Sequence, residues 1–536
     1  MRLPLRWFLA ALPLAAAVAA PGCNQLSGID DYEKTPLQGT ASCAVNADCA
    51  GLGEGYICRR ADTTSSCVQL LSEDCQTING DYANDDAFIF VSILPTLQAD
   101  GVTPGPGAPL LNAMRLAVAD FTGTAAGLPP LAEGRARRPL VMLECNDQGD
   151  LVTANRAAQH AVREVGLPAV LGPMFSGLTL RVATDVTIPN GAFLLSPTAA
   201  TQSLTELKDF GLVWRAAPSA DLQVQVLANF FSVIEQDPVA RASFGLSSDA
   251  LMKVASVYKD DAFGNGLAGG LRGSLTFNKN PATSQPNNDY FFEYNYGNPD
   301  NPTSMLPRFQ EVADDIIAKQ PHVVLLLGVE EITRDLLPLI ESGWTGARRP
   351  FYLSASGPYT PSLFEYVKTN DATTGIRRRI VGVVPGSNNN VFAAFRSKYG
   401  SIYEISEADT SGPANAYDAV YMLAYSVVGL GEAPITGASI AQAMKRLVPP
   451  AQVTVSAGPL EINTAYDELS SLRNINFEGA SGPLDFNVES GDPNSEMQIW
   501  CVGANNSGKY SGAFYDTKNV LTGSMVEVRE NCGFLP

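Results

Sequence analysis

Residues 168–201, PAVLGPMFSGLTLRVATDVTIPNGAFLLSPTAAT, read as strand, tight loop, helix, turn, strand and loop. Ala169–Leu171 is a short apolar run closed by Gly172-Pro173, and Ser176 stands where a helix wants its cap. Leu178, Val182 and Val186 recur at i, i+4 and i+8, which predicts one buried helical face. Pro189-Asn190-Gly191 ends that helix, and residues 192–195 predict a second buried strand closing at Ser196-Pro197. Two parallel strands thus deliver two hydroxyl-rich loops, Phe175-Ser176-Gly177 and 196–201, to the same carboxyl edge of a sheet. Ligands bind at that edge in open α/β sheets, and free N–H groups at helix starts favour a carboxylate there.

Outward from this unit the alternation continues. Strands are expected at 88–94, 140–143 and 212–216, with helices at 110–121 and 151–165, and Ser219 capping a long helix to 234. A second series follows, with strands at 253–258, 290–294, 323–327, 351–353 and 380–384. Phe309, Val312 and Ile316 mark one clear helix face between them. The helix expected at 264–275 carries five glycines and is weak on propensity. After Pro385 come three helical segments, 391–399, 414–428 and 440–447, then turn-linked strands over 477–491 and 498–502. Alternating strands and helices imply an α/β protein with parallel sheets. The expected organisation is two lobes, 85–217 plus 385–490 and 218–384 plus 491–536, with a hinge and a binding cleft between them.

The chain has 536 residues, too many for one core, and a net charge of −19. That charge argues against nucleic acid, which needs clustered Lys and Arg. The lone basic triplet, Arg377-Arg378-Arg379, reads as a solvated turn before a strand. At the N-terminus, Arg2 and Arg6 precede an apolar run, 7–20, too short for a membrane span. Ala20-Pro21-Gly22-Cys23 follows and resembles a bacterial lipoprotein signal, in which Cys23 becomes the lipidated first residue. The expectation is a signal peptide over 1–22, a tether over 23–42 and a membrane reached only through the lipid anchor.

Eight cysteines remain, an even number in an oxidising compartment. Cys43, Cys49, Cys58 and Cys67 crowd a polar, Gly-rich stretch and read as a small disulfide-stapled module over 43–75, paired among themselves in an order the sequence leaves open. Their gaps lack the short Cys-x-x-Cys knuckles of structural zinc, so no metal is expected. Of the others, Cys75 is assigned to Cys145 and Cys501 to Cys532.

The motifs VLGPMFSG (170–177), FLLSPTAATQSLT (193–205), VWRAAPS (213–219), VYKDDAFGNGL (257–267), ANAYDAV (414–420) and FEGASGPLDFNVESGD (477–492) stand in one order and spacing. Together they resemble type I periplasmic binding proteins, nearest the branched-chain amino-acid (leucine/isoleucine/valine) binding family of ABC transporters. The resemblance spans about 85–502 and leaves out the cysteine module. It implies a ligand carboxylate met by Ser176, flanked by Phe175 and Gly177, and by main chain at Ala199–Thr201. It implies an ammonium held by a carbonyl, a hydroxyl and an acid. The hydroxyl position falls on Ala200, with Thr198 and Thr201 beside it; the acid position falls on Ser356; the lobe-two aromatic is Phe263. Glu330 or Glu331 is the candidate substitute for the missing acid, although a helix start is the plainer role for both.

Enzyme readings find little support. His160 and His322 are the two histidines, and neither has a second His at ligand spacing or a Gly-x-Ser-x-Gly elbow beside it. No Gly-x-Gly-x-x-Gly follows the first strand and no P-loop occurs, so no nucleotide cofactor is expected. Tyr417-Asp418 reads as core packing with a structural hydrogen bond. The resulting expectation is an exported, lipid-anchored solute receptor that closes on a small amino-acid-like or carboxylate solute and docks on an ABC permease. The second reading is a surface or signalling lipoprotein using the same fold without transport.

Overall fold

Six strands form the first sheet, in the order Cys75–Asn79, Leu140–Asn146, Phe88–Leu94, Ala169–Leu171, Phe193–Ser196 and Val213–Arg215. All pair in parallel except Cys75–Asn79, which runs antiparallel along one edge. The parallel strands are largely buried because helices cover both faces of the sheet, whereas the middle of the Cys75–Asn79 edge strand is exposed. The computed structural model describes residues 42–60, 65–132, 134–300, 305–386 and 388–534. The expected signal peptide, lipidated Cys23 and nearly all of the tether lie outside these residues.

One face of this sheet packs on the Ala108–Ala125 helix and on Pro413–Gly429, a helix buried along its whole length. Most of its polar groups find partners inside the core, the Tyr425 hydroxyl being the exception among the described residues. Tyr417 and Tyr421 hydroxyls donate to Asp120, while Asp418 accepts from the Ala480 and Ser481 amides and the Ser481 hydroxyl. The other face carries the helical stretch 151–165 and the helix begun at Ser176. Val182 and Val186 are fully buried there and Leu178 packs against them.

The second sheet has eight strands, ordered Phe291–Asn295, Val254–Tyr258, Val323–Leu327, Phe351–Ser354, Ile380–Pro385, Met497–Val502, Gly508–Tyr515 and Leu521–Thr522. The first five are parallel and the last three antiparallel. Separate apolar clusters fill its two faces. Core membership places the chain's passages between the two bodies near 216–220, 385–392 and 486–497. The glycine-rich helix forms as Ala262–Ser274, capped by the Asp261 carboxylate. Its glycines permit close approach: a Cβ on Gly270 would stand 2.7 Å from the Val224 side chain of the Ala220–Gln236 helix.

The basic triplet departs from the solvated turn expected of it. Arg378 is exposed, but Arg379 is buried and holds Glu341 through both terminal nitrogens, at 3.0 and 2.6 Å. Tyr352 donates to the same carboxylate at 2.6 Å, so the pair is a hydrogen-bonded core element.

The cysteine module is a 3-10 turn, Asn46–Leu52, and a hairpin, Tyr56–Arg60 with Ser65–Gln69. Disulfides join Cys43 to Cys58, Cys49 to Cys67, Cys75 to Cys145 and Cys501 to Cys532. No thiolate of the module is left for zinc. Ile57, Val68 and Leu70 enter the first lobe's core. His160 bonds Glu164 and the Leu70 carbonyl, and Arg59 donates to the Arg163 and Glu164 carbonyls. His322 accepts from the Lys253 amide. Both histidines therefore have structural partners.

Candidate functional site

Gly172 makes the first of the two loops at the sheet's carboxyl edge. Its φ of +113° suits glycine alone, and a Cβ there would stand 2.1 Å from the Ile93 carbonyl. The chain turns through Pro173 and enters the Ser176–Val182 helix with Phe175 at the cap position. Ser176 is thus not the cap that sequence placement suggests. It occupies the first turn, and its Oγ accepts from the Ala200 and Thr201 amides at 3.1 and 3.2 Å. Thr198 braces the same junction by donating to the Met174 carbonyl at 2.8 Å.

A cavity of about 290 Å³ opens between the carboxyl ends of the two sheets. From the first lobe it is lined by uncharged groups, among them Gln98, Gln148, Phe175, Ser176 and Thr198. From the second lobe come Asp261, Phe263, Asp300, Glu330, Glu331 and Ser356, following four different strands. A second cavity, about 440 Å³, shares Phe175 with the first and adds Gly177 and Lys259. Both lie where parallel strands end and loops diverge, the usual ligand position in such sheets.

Phe175, Ser176, Thr198, Phe263 and Ser356 are therefore brought together, and Gly177 lies in the adjoining cavity. Ala199, Ala200 and Thr201 are not at the surface of either cavity; they are buried behind Ser176. Ala200 packs into the second lobe's core beside Ala220, and the Thr201 hydroxyl donates to the Ala262 carbonyl at 3.3 Å. Ser356 gives its amide and hydroxyl to Gln223 Oε1, at 3.3 and 2.9 Å. Glu330 and Glu331 start a helix and also line the cavity, so their two readings are compatible.

An ion cluster that no local sequence pattern marks lies beside the cavity. Lys259, 2% exposed, pairs with Asp300 and stands 3.8 Å from Asp261 and 3.9 Å from Glu331. Desolvation opposes the Lys259 ammonium, but Glu331, Asp300 and Asp261 outweigh it and raise its pKa. Burial raises the carboxyl pKa of Asp261 and of Glu331, with Lys259 opposing in both. Glu331 also accepts from the Tyr296 hydroxyl and, at 3.2 Å, from the Val329 amide. Asp147, beside the cavity residues Gln148 and Gly149, is fully buried, and burial pushes its pKa up to about 7.

Residues 97–506 match the family described as periplasmic binding protein, and the chain belongs to that family. No curated protein matches the chain. Among solved structures, a leucine-binding protein from Thermotoga maritima is 15% identical, with 81% of this chain and 100% of that one covered at a TM-score of 0.57. The isoleucine complex of a branched-chain amino-acid transporter substrate-binding protein from Streptococcus pneumoniae is 15% identical, covering 79% and 99%, with a TM-score of 0.54. A benzoate complex of an R. palustris solute-binding protein is 14% identical, covering 79% and 95%, with a TM-score of 0.52. At these identities the likeness establishes the type I periplasmic-binding fold. No helix among the described residues is long and apolar enough to cross a membrane.

Proposed function

We propose that this chain is the extracytoplasmic solute-binding component of an ABC-type importer, anchored through lipidated Cys23. The observation that carries this reading is the cavity of about 290 Å³ walled by strand ends of both lobes. A solute touching both walls stabilises the closed arrangement, because its contacts are complete only there. No bond chemistry is required, and the closed form is the state a permease reads. Leucine, isoleucine and benzoate in related folds support a small organic solute for this chain. Phe175, Ser176, Gly177, Thr198, Phe263 and Ser356 are the proposed ligand-facing residues, with Ala199, Ala200 and Thr201 supporting Ser176 from behind.

The test is a thermal-shift and calorimetric screen of amino acids, amines and short organic acids. A ligand at one hundred times its Kd stabilises the folded chain by about 2.7 kcal/mol, a clear rise in Tm. A chain whose Tm and heat signal ignore every solute would remove the receptor reading. The alternative, a signalling lipoprotein, draws on the cysteine module fixed to the first lobe. It is favoured if solute binds but deletion of the gene leaves uptake of that solute unchanged.

A further inference from the structure

We propose that the solute is a cationic amine whose ammonium or guanidinium group faces Asp261, Asp300, Glu330 and Glu331. The inference rests on the solute-binding reading above and specifies its substrate class. The charge on the two cavity walls is sharply unequal. The first lobe contributes uncharged groups to the lining, whereas the second contributes these four carboxylates and one cation, Arg334. Arg334 pairs with Asp335 beside it, at 2.7 Å, and also interacts with Glu330 and Glu331. Lys259 is the single ammonium set among Asp261, Asp300 and Glu331. Five carboxylates are thus met by two cations, and Glu330 has a hydroxyl, that of Ser362, as its donor.

Closing the lobes removes water from this wall, and each unmatched carboxylate then costs more. A solute cation offsets that cost; a solute anion adds to it. Phe175 and Phe263 supply the second observation. Aromatic faces attract ammonium and guanidinium groups but do nothing comparable for a hydrated inorganic ion. The Lys259 ammonium already lies 5.7 Å from the Phe175 ring centroid, so that ring accepts a cation in this structure. In the first cavity a carboxylate has no cation on the first wall to meet, and Arg181, which lines the adjoining cavity, is paired with Asp185. The Ala200 and Thr201 amides, which the family resemblance would offer it, are bonded to Ser176 Oγ.

Isothermal titration of the full-length exported chain in detergent would compare L-arginine, putrescine and choline with L-leucine and benzoate. At least one cation should bind roughly ten-fold tighter than either comparator, a difference of about 1.4 kcal/mol, and more weakly as salt is raised. Glu330→Gln should weaken that cation roughly ten-fold and Glu330→Lys should abolish its binding. Asp300→Asn gives the same reading if a Glu330 variant does not fold. If L-leucine or benzoate binds at least as tightly as every cation, this inference is overturned while the solute-binding reading stands. If none of the five binds, this inference is overturned, and the solute-binding reading is decided by the wider thermal-shift and calorimetric screen. A Tm rise with calcium chloride alone, matched by no amine, would also overturn the inference.

Discussion

The Lys259 ammonium of the second lobe lies over the Phe175 ring of the first, 5.7 Å from its centroid, across the cleft. The same ammonium holds together Asp261, Asp300 and Glu331. One side chain therefore offsets part of the acidic wall's charge and touches the opposite lobe. Lys259→Met should leave these carboxylates without their counter-charge and destabilise the chain by roughly 3 kcal/mol, the usual cost of breaking a buried ion pair. Urea denaturation checks this; an unchanged midpoint would mean that the wall is solvated in the free protein.

Ser176→Ala removes the acceptor of two buried amides, Ala200 and Thr201. Orphaning buried donors costs about 1–3 kcal/mol in total, so a lower Tm is expected. Because Ser176 also lines the cavity, solute affinity should fall by about ten-fold, roughly 1.4 kcal/mol. A lower Tm with unchanged affinity would make Ser176 a loop brace alone.

Asp147 gives the chain a pH dependence of definite sign. Its ordinary pKa is 3.8 and burial raises it to about 7 in the folded chain. Below the ordinary value the group is neutral in both states and costs nothing. As pH rises from about 4 to about 7 the unfolded carboxyl ionises first, so stability falls, and above that range the loss is complete. Asp418, raised by burial to about 6, acts in the same direction. Asp147 Oδ2 has no hydrogen-bond partner among the described residues, while the other oxygen accepts from Gly149. Asp147→Asn keeps that acceptor and removes the charge. Its stability relative to the parent should improve between pH 4 and pH 8 by on the order of 4 kcal/mol. Denaturation at the two pH values measures this, and equal differences at both would contradict it.

The cysteine module should be separable from the lobes. Cys49–Cys67 closes a span of 18 residues, a constraint worth about 3 kcal/mol. Cys49→Ala with Cys67→Ala should expose residues 43–70 to limited proteolysis while solute affinity stays within about two-fold, less than 0.5 kcal/mol. Loss of binding would tie the module to the cleft.

Much of this fold is legible in the sequence wherever one segment carries its own signal. Residues 168–196 show a buried strand, an apolar helical face, a Pro-Asn-Gly stop and a second strand, and the two strands pair in parallel. The Cys75–Asn79 strand is different: its middle residues are exposed, and pairing with Leu140–Asn146 defines it more than its own pattern. The Ile462–Ser470 helix goes unread although Ile462, Ala465, Tyr466 and Leu469 sit at helical spacing and are all buried. Its signal is one nine-residue face with no capping side chain. The acidic wall is the least legible feature. Lys259 and Asp261 follow one strand, Asp300 a second and Glu331 a third, and only sheet order makes them neighbours. Ser176 shows the converse: a residue in the right place whose hydroxyl serves amides 24 and 25 residues away instead of its own helix.

Small-angle X-ray scattering with and without saturating solute tests the two-lobed receptor most directly. Closure over the cavity should shrink the radius of gyration and shorten the longest interatomic distance, and Lys259→Met should blunt both changes. A profile identical with and without a solute that calorimetry shows to be bound would contradict closure of the cleft as the binding event.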